Sequence, residues 1–127
     1  MKFVKAGDLK KDLYIKILLF GDSGVGKTHA ASSAPKPIVL LTEQNGIATI
    51  KHANPNAIVA HATTAAEVRD FFSALTKGKA KELGCTTLVV DSLTEIQRLF
   101  KDEILQRNKA KAFAIHHWNE LTETMRK

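Results

Sequence analysis

The 127-residue sequence holds one cysteine, Cys85. A lone thiol excludes a disulfide framework and a cysteine-based zinc cluster. Set where an apolar run begins, Cys85 reads as a small buried hydrophobe rather than a reactive thiol. Long hydrophobic runs are missing too. No stretch approaches the ~20 apolar residues that cross a bilayer, so no membrane span is expected. Met1-Lys2-Phe3-Val4-Lys5-Ala6-Gly7-Asp8 carries charge where a secretory signal needs its apolar segment, and the expected location is the cytoplasm. There is no internal repeat, no low-complexity tract and no dividing linker, so residues 1–127 are read as one domain with a real core. The histidines supply no metal set. His116 and His117 would project about 100° apart on a helix, His52 and His61 have no visible partners, and a zinc site lacks its other ligands.

What is present is ordinary in bulk and basic in balance. Hydrophobic residues make up 44% and charged residues 25%, with a formal net charge of +6. Acidic partners such as nucleic acid fit that charge. Lys77, Lys79, Lys81, Lys101, Lys109 and Lys111 fall in expected helices or turns. Solvated helix faces are the first reading of them and a nucleic-acid surface the second.

The most specific feature is Gly21-Asp22-Ser23-Gly24-Val25-Gly26-Lys27-Thr28, a full match to the phosphate-binding pattern G-x-x-x-x-G-K-[ST]. Glycines let the backbone turn so that successive N–H groups face one concavity and hold phosphate oxygens. Lys27 would place a charge near the β- and γ-phosphates, and Thr28 would offer its hydroxyl to Mg²⁺. The helix starting there points its positive end at the anion. The flanks suit the motif. An apolar run from Leu13 to Phe20 is expected as the preceding strand, and 28–34 as a short small-residue helix.

Pro35-Lys36-Pro37 stops that helix. Ile38-Val39-Leu40-Leu41 then reads as a strand buried on both faces, a polar stretch runs from Thr42 to Gly46, and Ala57-Ile58-Val59-Ala60 reads as another strand. Thr64-Ala65-Ala66-Glu67 is a capping box that opens a helix with Val68, Phe71, Phe72 and Leu75 on one face. Residues 77–81 are expected to fray or bend its end. Thr86 to Asp91 is a strand ending in a carboxylate. Ser92-Leu93-Thr94-Glu95 is a second capping box, opening a stripe of Leu93, Ile96, Leu99, Phe100 and Ile104. After a basic connector, Ile115, Trp118, Leu121 and Met125 share a helical spacing that suits a core or interface better than a base-stacking platform. Strands alternating with helices imply an α/β fold, a three-layer parallel sheet with helices on both faces.

Two acids complete a nucleotide site. Asp91 ends an apolar strand, where a carboxylate is held rigidly for Mg²⁺ through its water shell. It could instead cap the next helix, but Ser92 can do that itself. Glu43 stands just past the strand 38–41, on the same sheet edge, where a carboxylate could take a proton from water attacking the γ-phosphate. Otherwise it is a solvated loop residue.

The segments Ile38-Val39-Leu40-Leu41-Thr42-Glu43 and Leu88-Val89-Val90-Asp91-Ser92-Leu93 resemble the second and third motifs of RecA-type ATPases. The likeness is greatest to small phage-encoded RecA-like ATPases of single-strand annealing and recombination. It covers about residues 13–105 and weakens from 106 onward. The resemblance implies ATP and Mg²⁺ as cofactors, Glu43 as the water-activating residue beside Lys27, and Thr28 and Asp91 at the metal. It also implies single-stranded DNA as a partner and a site shared between subunits, in a homo-oligomer or with a partner chain. In that family a further strand, bearing a γ-phosphate sensor, lies between the loop strand and the Asp-bearing strand. This sequence shows no such strand, no later DNA-binding loop and no arginine finger. It is therefore expected to be the N-terminal part of a longer ATPase core lacking its C-terminal strands, unless the two strands pair directly or a partner chain fills the gap.

Other nucleotide enzymes fit less well. A GTPase needs Asn-Lys-x-Asp, and Asn108-Lys109-Ala110-Lys111 has lysine at the acid; no glycine follows Asp91. Segment 107–111 is a faint match to the basic lid of a small-molecule kinase. The expected function is Mg²⁺-dependent ATP binding and hydrolysis in DNA recombination. The alternative is a non-hydrolysing nucleotide-binding module that acts only by assembling with partner chains or DNA.

Overall fold

The computed structural model describes residues 1, 3–8, 14–108 and 115–126, and for 115–117 the backbone alone. Three parallel strands carry the fold: β1 (Pro37–Leu41), β2 (Ile58–His61) and β3 (Thr87–Asp91), in the spatial order β2-β1-β3. Strand β1 is central, and Val39, Leu40 and Leu41 are wholly buried, as the continuous apolar run foretells. Burying one such leucine contributes about 1.5–3 kcal/mol. In register, Leu41 stands beside His61 on one side and Asp91 on the other.

The crossovers put helices on both faces. The step from β1 to β2 moves one way along the sheet and the step from β2 to β3 moves back over β1, so right-handed connections send their helices to opposite faces. On one face α1 (Lys27–Ser32) and α2 (Gly46–Ala53) pack Ala31 and Ile50 against Val39, Leu41 and Val89. Buried Ser32 donates its hydroxyl to the Thr28 carbonyl (2.7 Å), and the Asn54 amide donates to the Ser32 carbonyl (3.1 Å), which ties the two helices. On the other face, α3 (Ala65–Thr76), α5 (Leu93–Arg107) and α6 (Ile115–Arg126) bring Val68, Phe71, Ile96, Leu99, Ile104 and Leu121 onto Ile38 and Leu40. Arg69 forks onto Glu103 (2.8 Å) and lies over the Phe100 ring, joining α3 to α5.

Three expectations need correction. The run expected as a strand from Leu13 to Phe20 forms none: Leu13 lies outside the described residues, and Tyr14–Phe20 is unpaired and exposed, Ile15 at 85% and Phe20 at 87%. An apolar run becomes a strand only with a neighbour to bond to. No strand among the described residues pairs with the free edge of β3, so direct pairing of that run with β3 is not made either. Next, Gly46–Ala53 is a helix, where no element was expected between the polar stretch ending at Gly46 and the turn at Asn54; it buries little beyond Ile50. Finally, of the two forms expected at 77–81, fraying is not seen: the chain turns at 77–78 after α3 ends, and Lys79–Glu82 is a short helix, α4. The expectations for Lys109 and Lys111, and for the His116 and His117 side chains, fall outside the described residues.

Candidate nucleotide site

Strand β1 hands its chain to α2 on one face and β3 hands its chain to α5 on the other. A crevice therefore opens between their carboxyl ends, where α/β sheets place ligands. The loop 21–26 meets this edge from outside. Gly24 and Gly26 take φ of +82° and +94°, left-handed values that a side chain would strain. Gly26 leads directly into α1. That helix is only 6 residues long, shorter than expected. The Lys27 ammonium donates to the carbonyl oxygens of Gly21 (2.7 Å) and Asp22 (2.6 Å), folded back over the start of the loop.

A long-range hydrogen bond ties the first turn of α1, directly after the loop, to the sheet. The Thr28 hydroxyl donates to Asp91 Oδ2 at 2.7 Å, across 63 residues of sequence. The side chains of Ser23 and Val25 are exposed.

At the ends of β1 and β3 a second set of bonds forms. The Thr42 N–H donates to the Asp91 carbonyl (2.9 Å), and the Thr42 hydroxyl donates to the same oxygen (3.1 Å). The Ser92 N–H donates to Thr42 Oγ1 (3.1 Å), and the Ser92 hydroxyl donates to Glu43 Oε1 (2.7 Å). Glu43 is exposed on its loop but held at one oxygen. Thr28, Asp91, Ser92, Thr42 and Glu43 thus form one connected group.

The second capping box is only half made. Ser92 Oγ accepts from the Glu95 N–H (3.3 Å) and caps α5. The Glu95 carboxylate turns instead to Arg98, whose guanidinium holds it below the ordinary glutamate range. The box at Thr64 and Glu67 is complete. Beside Glu43 lies an open cavity of about 510 Å³, lined also by Thr63, Glu95 and Arg98. It shares Thr42 and Glu43 with the site but none of residues 21–28.

A family model described as AAA domain matches residues 13–127. The chain belongs to the AAA domain family. No curated protein and no solved structure gives a significant match. An AAA domain is a P-loop NTPase-type domain, and its family members are generally ATPases, so nucleotide binding accords with the loop 21–28 in this AAA domain. No helix among the described residues is long and apolar enough to cross a membrane.

The oxygens at the end of β3 can be compared with what a hard divalent cation needs. Thr28 and Asp91 offer two hard oxygens side by side, and no group of three His, Cys, Asp or Glu able to hold a metal occurs among the described residues. A few protein oxygens completed by water and phosphates is the manner in which Mg²⁺ is bound. The structure brings the candidate residues Thr28, Asp91 and Glu43 into one hydrogen-bonded group, joined by Thr42 and the Ser92 hydroxyl, which the sequence did not single out as connectors. The available signal was a hydroxyl residue directly after each of two adjacent apolar strands.

Proposed function

We propose that this chain binds ATP with Mg²⁺ and hydrolyses the β–γ bond. The observation that carries the reading is the Thr28–Asp91 hydrogen bond, which links the residue closing the phosphate-loop motif to the carboxylate at the end of β3. The backbone of residues 22–27 and the Lys27 ammonium would hold the phosphates, with Lys27 exchanging its two loop carbonyls for phosphate oxygens. Thr28 and Asp91 would hold Mg²⁺, which when bound offsets negative charge on the β- and γ-phosphate oxygens. Glu43 would orient a water and accept its proton as the water oxygen bonds to the γ-phosphorus. The bridging P–O bond breaks, its electron pair leaves with ADP, and inorganic phosphate is released.

The setting proposed is DNA recombination or single-strand annealing by a phage-type RecA-like ATPase, acting with single-stranded DNA and in an assembly of subunits. The resemblance at 38–43 and 88–93 supports it, and so does the net charge of +6. The test is ATP turnover by the purified chain with Mg²⁺, with and without single-stranded DNA, beside Lys27→Ala. Turnover that depends on Lys27 and rises with DNA is expected. Absence of turnover from a folded chain that binds nucleotide would instead support a non-hydrolysing module that works by assembly.

A further inference from the structure

We propose that Ser92 is a positioning residue for Glu43, setting the carboxylate that takes the proton from attacking water. The role deepens the hydrolytic reading above and rests on it. Glu43 sits on an exposed loop after β1, and a free glutamate side chain there would sample many rotamers. A misplacement of about 1 Å can cost about 100-fold in rate, so such freedom would slow turnover.

The structure removes that freedom through one hydroxyl. The parallel register sets Leu41 beside Asp91, which brings the next residues of each strand, Thr42 and Ser92, together. The hydrogens of this pair stay at the two strand ends. The Thr42 hydroxyl donates to the Asp91 carbonyl (3.1 Å) and, at longer range, the Ser92 carbonyl (3.5 Å), so Thr42 Oγ1 is left as an acceptor for the Ser92 N–H. Ser92 Oγ accepts the Glu95 N–H, which fixes the direction of the side chain. The one proton remaining on Ser92 Oγ goes to Glu43 Oε1 at 2.7 Å. Glu43 Oε2 has no protein partner among the described residues, and it is the oxygen left to receive a proton. Because Ser92 follows Asp91 directly, the base and the metal-binding carboxylate are built on one rigid support.

Capping and positioning can be separated. Glycine at an N-cap retains most of the helix start, so Ser92→Gly removes the donor while α5 still forms. Threonine supplies the same hydroxyl, and the extended backbone at Ser92 (φ −127°, ψ 157°) suits it. In the full chain, with Mg²⁺ and ATP, Ser92→Gly is expected to lower kcat about 10- to 100-fold. Affinity for a fluorescent ATP analogue should stay within about 2-fold, because the interaction acts on the reaction and not on ground-state binding. Ser92→Thr should restore most of kcat. A variant that keeps the parent kcat, or a loss that Thr does not recover, overturns the role. If the parent chain itself shows no Lys27-dependent turnover, the hydrolytic reading fails first and this role falls with it.

Discussion

Two helices of this chain open with the same four-residue pattern, hydroxyl-x-x-Glu, and they spend it on different partners. At the start of α3, Thr64 accepts the Glu67 N–H (3.2 Å) and Glu67 returns to the N–H groups of Thr64 (3.1 Å) and Thr63 (2.7 Å). Every bond stays within five residues. At the start of α5 the forward bond is kept, but the return bond is not. The Ser92 N–H goes to Thr42, the Ser92 hydroxyl goes to Glu43, and Glu95 is released to Arg98. The difference is one of place. Thr64 stands three residues past the end of β2, whereas Ser92 directly follows the end of β3, where the hydroxyl of Thr42 and the carboxylate of Glu43 arrive from the neighbouring strand β1. A local capping pattern starts a helix in both cases. Only at the crevice does it also hold a candidate reacting group.

The contrast is broken most sharply at Glu43. Glu43→Gln keeps an acceptor oxygen for Ser92 but cannot take a proton, so turnover should fall at least about 100-fold while nucleotide affinity holds. Steady-state ATPase assays beside a nucleotide titration check this, and unchanged turnover would remove Glu43 from the chemistry. At the other helix the effect should appear in stability alone. Thr64→Ala is expected to cost about 1 kcal/mol in urea unfolding, the usual worth of an N-cap, with kcat unaltered. A loss of kcat there would mean that the two helix starts are less distinct than their partners suggest.

How much of this could be read from residues alone depends on how local each feature is. The run Ile38-Val39-Leu40-Leu41 and the run Tyr14–Phe20 look equally strand-like, yet the first is the buried centre of the sheet and the second lies exposed. Composition cannot separate them, because what differs is whether strands lie alongside. Helix α2 was hidden for a related reason, since it buries little beyond Ile50 and carries no side-chain cap. The loop 21–28 stands out as a candidate because phosphate binding calls for fixed residues at fixed spacing. Asp91 and Glu43 stand out as candidates because one ends an apolar run and the other lies two residues past one, at the strand-end edge. The Thr42–Ser92–Glu43 connection does not, because it exists only once Leu41 and Asp91 are known to be in register.

The smallest predicted effect concerns the two box glutamates themselves. Both are held below the ordinary glutamate range, but by different causes. Backbone N–H and hydroxyl donors of Thr63 and Thr64 lower Glu67, and the Arg98 guanidinium lowers Glu95. A carboxylate with a depressed folded pKa makes the unfolded chain bind more protons as the solution is acidified. Its stabilising contribution is therefore full above the ordinary glutamate value of about 4.3 and is lost as pH falls through the folded pKa. Salt should divide the pair. Mobile ions screen an exposed charge pair, whereas the donors on Glu67 are uncharged. Carbon-detected NMR titration of the glutamate carboxyls, at low and at high salt, is expected to move Glu95 back toward the ordinary value and leave Glu67 nearly in place. Equal movement of both would show that Glu67 too is held by long-range charge rather than by its closed box, and the two helix starts would then differ only in where the Ser92 hydroxyl points.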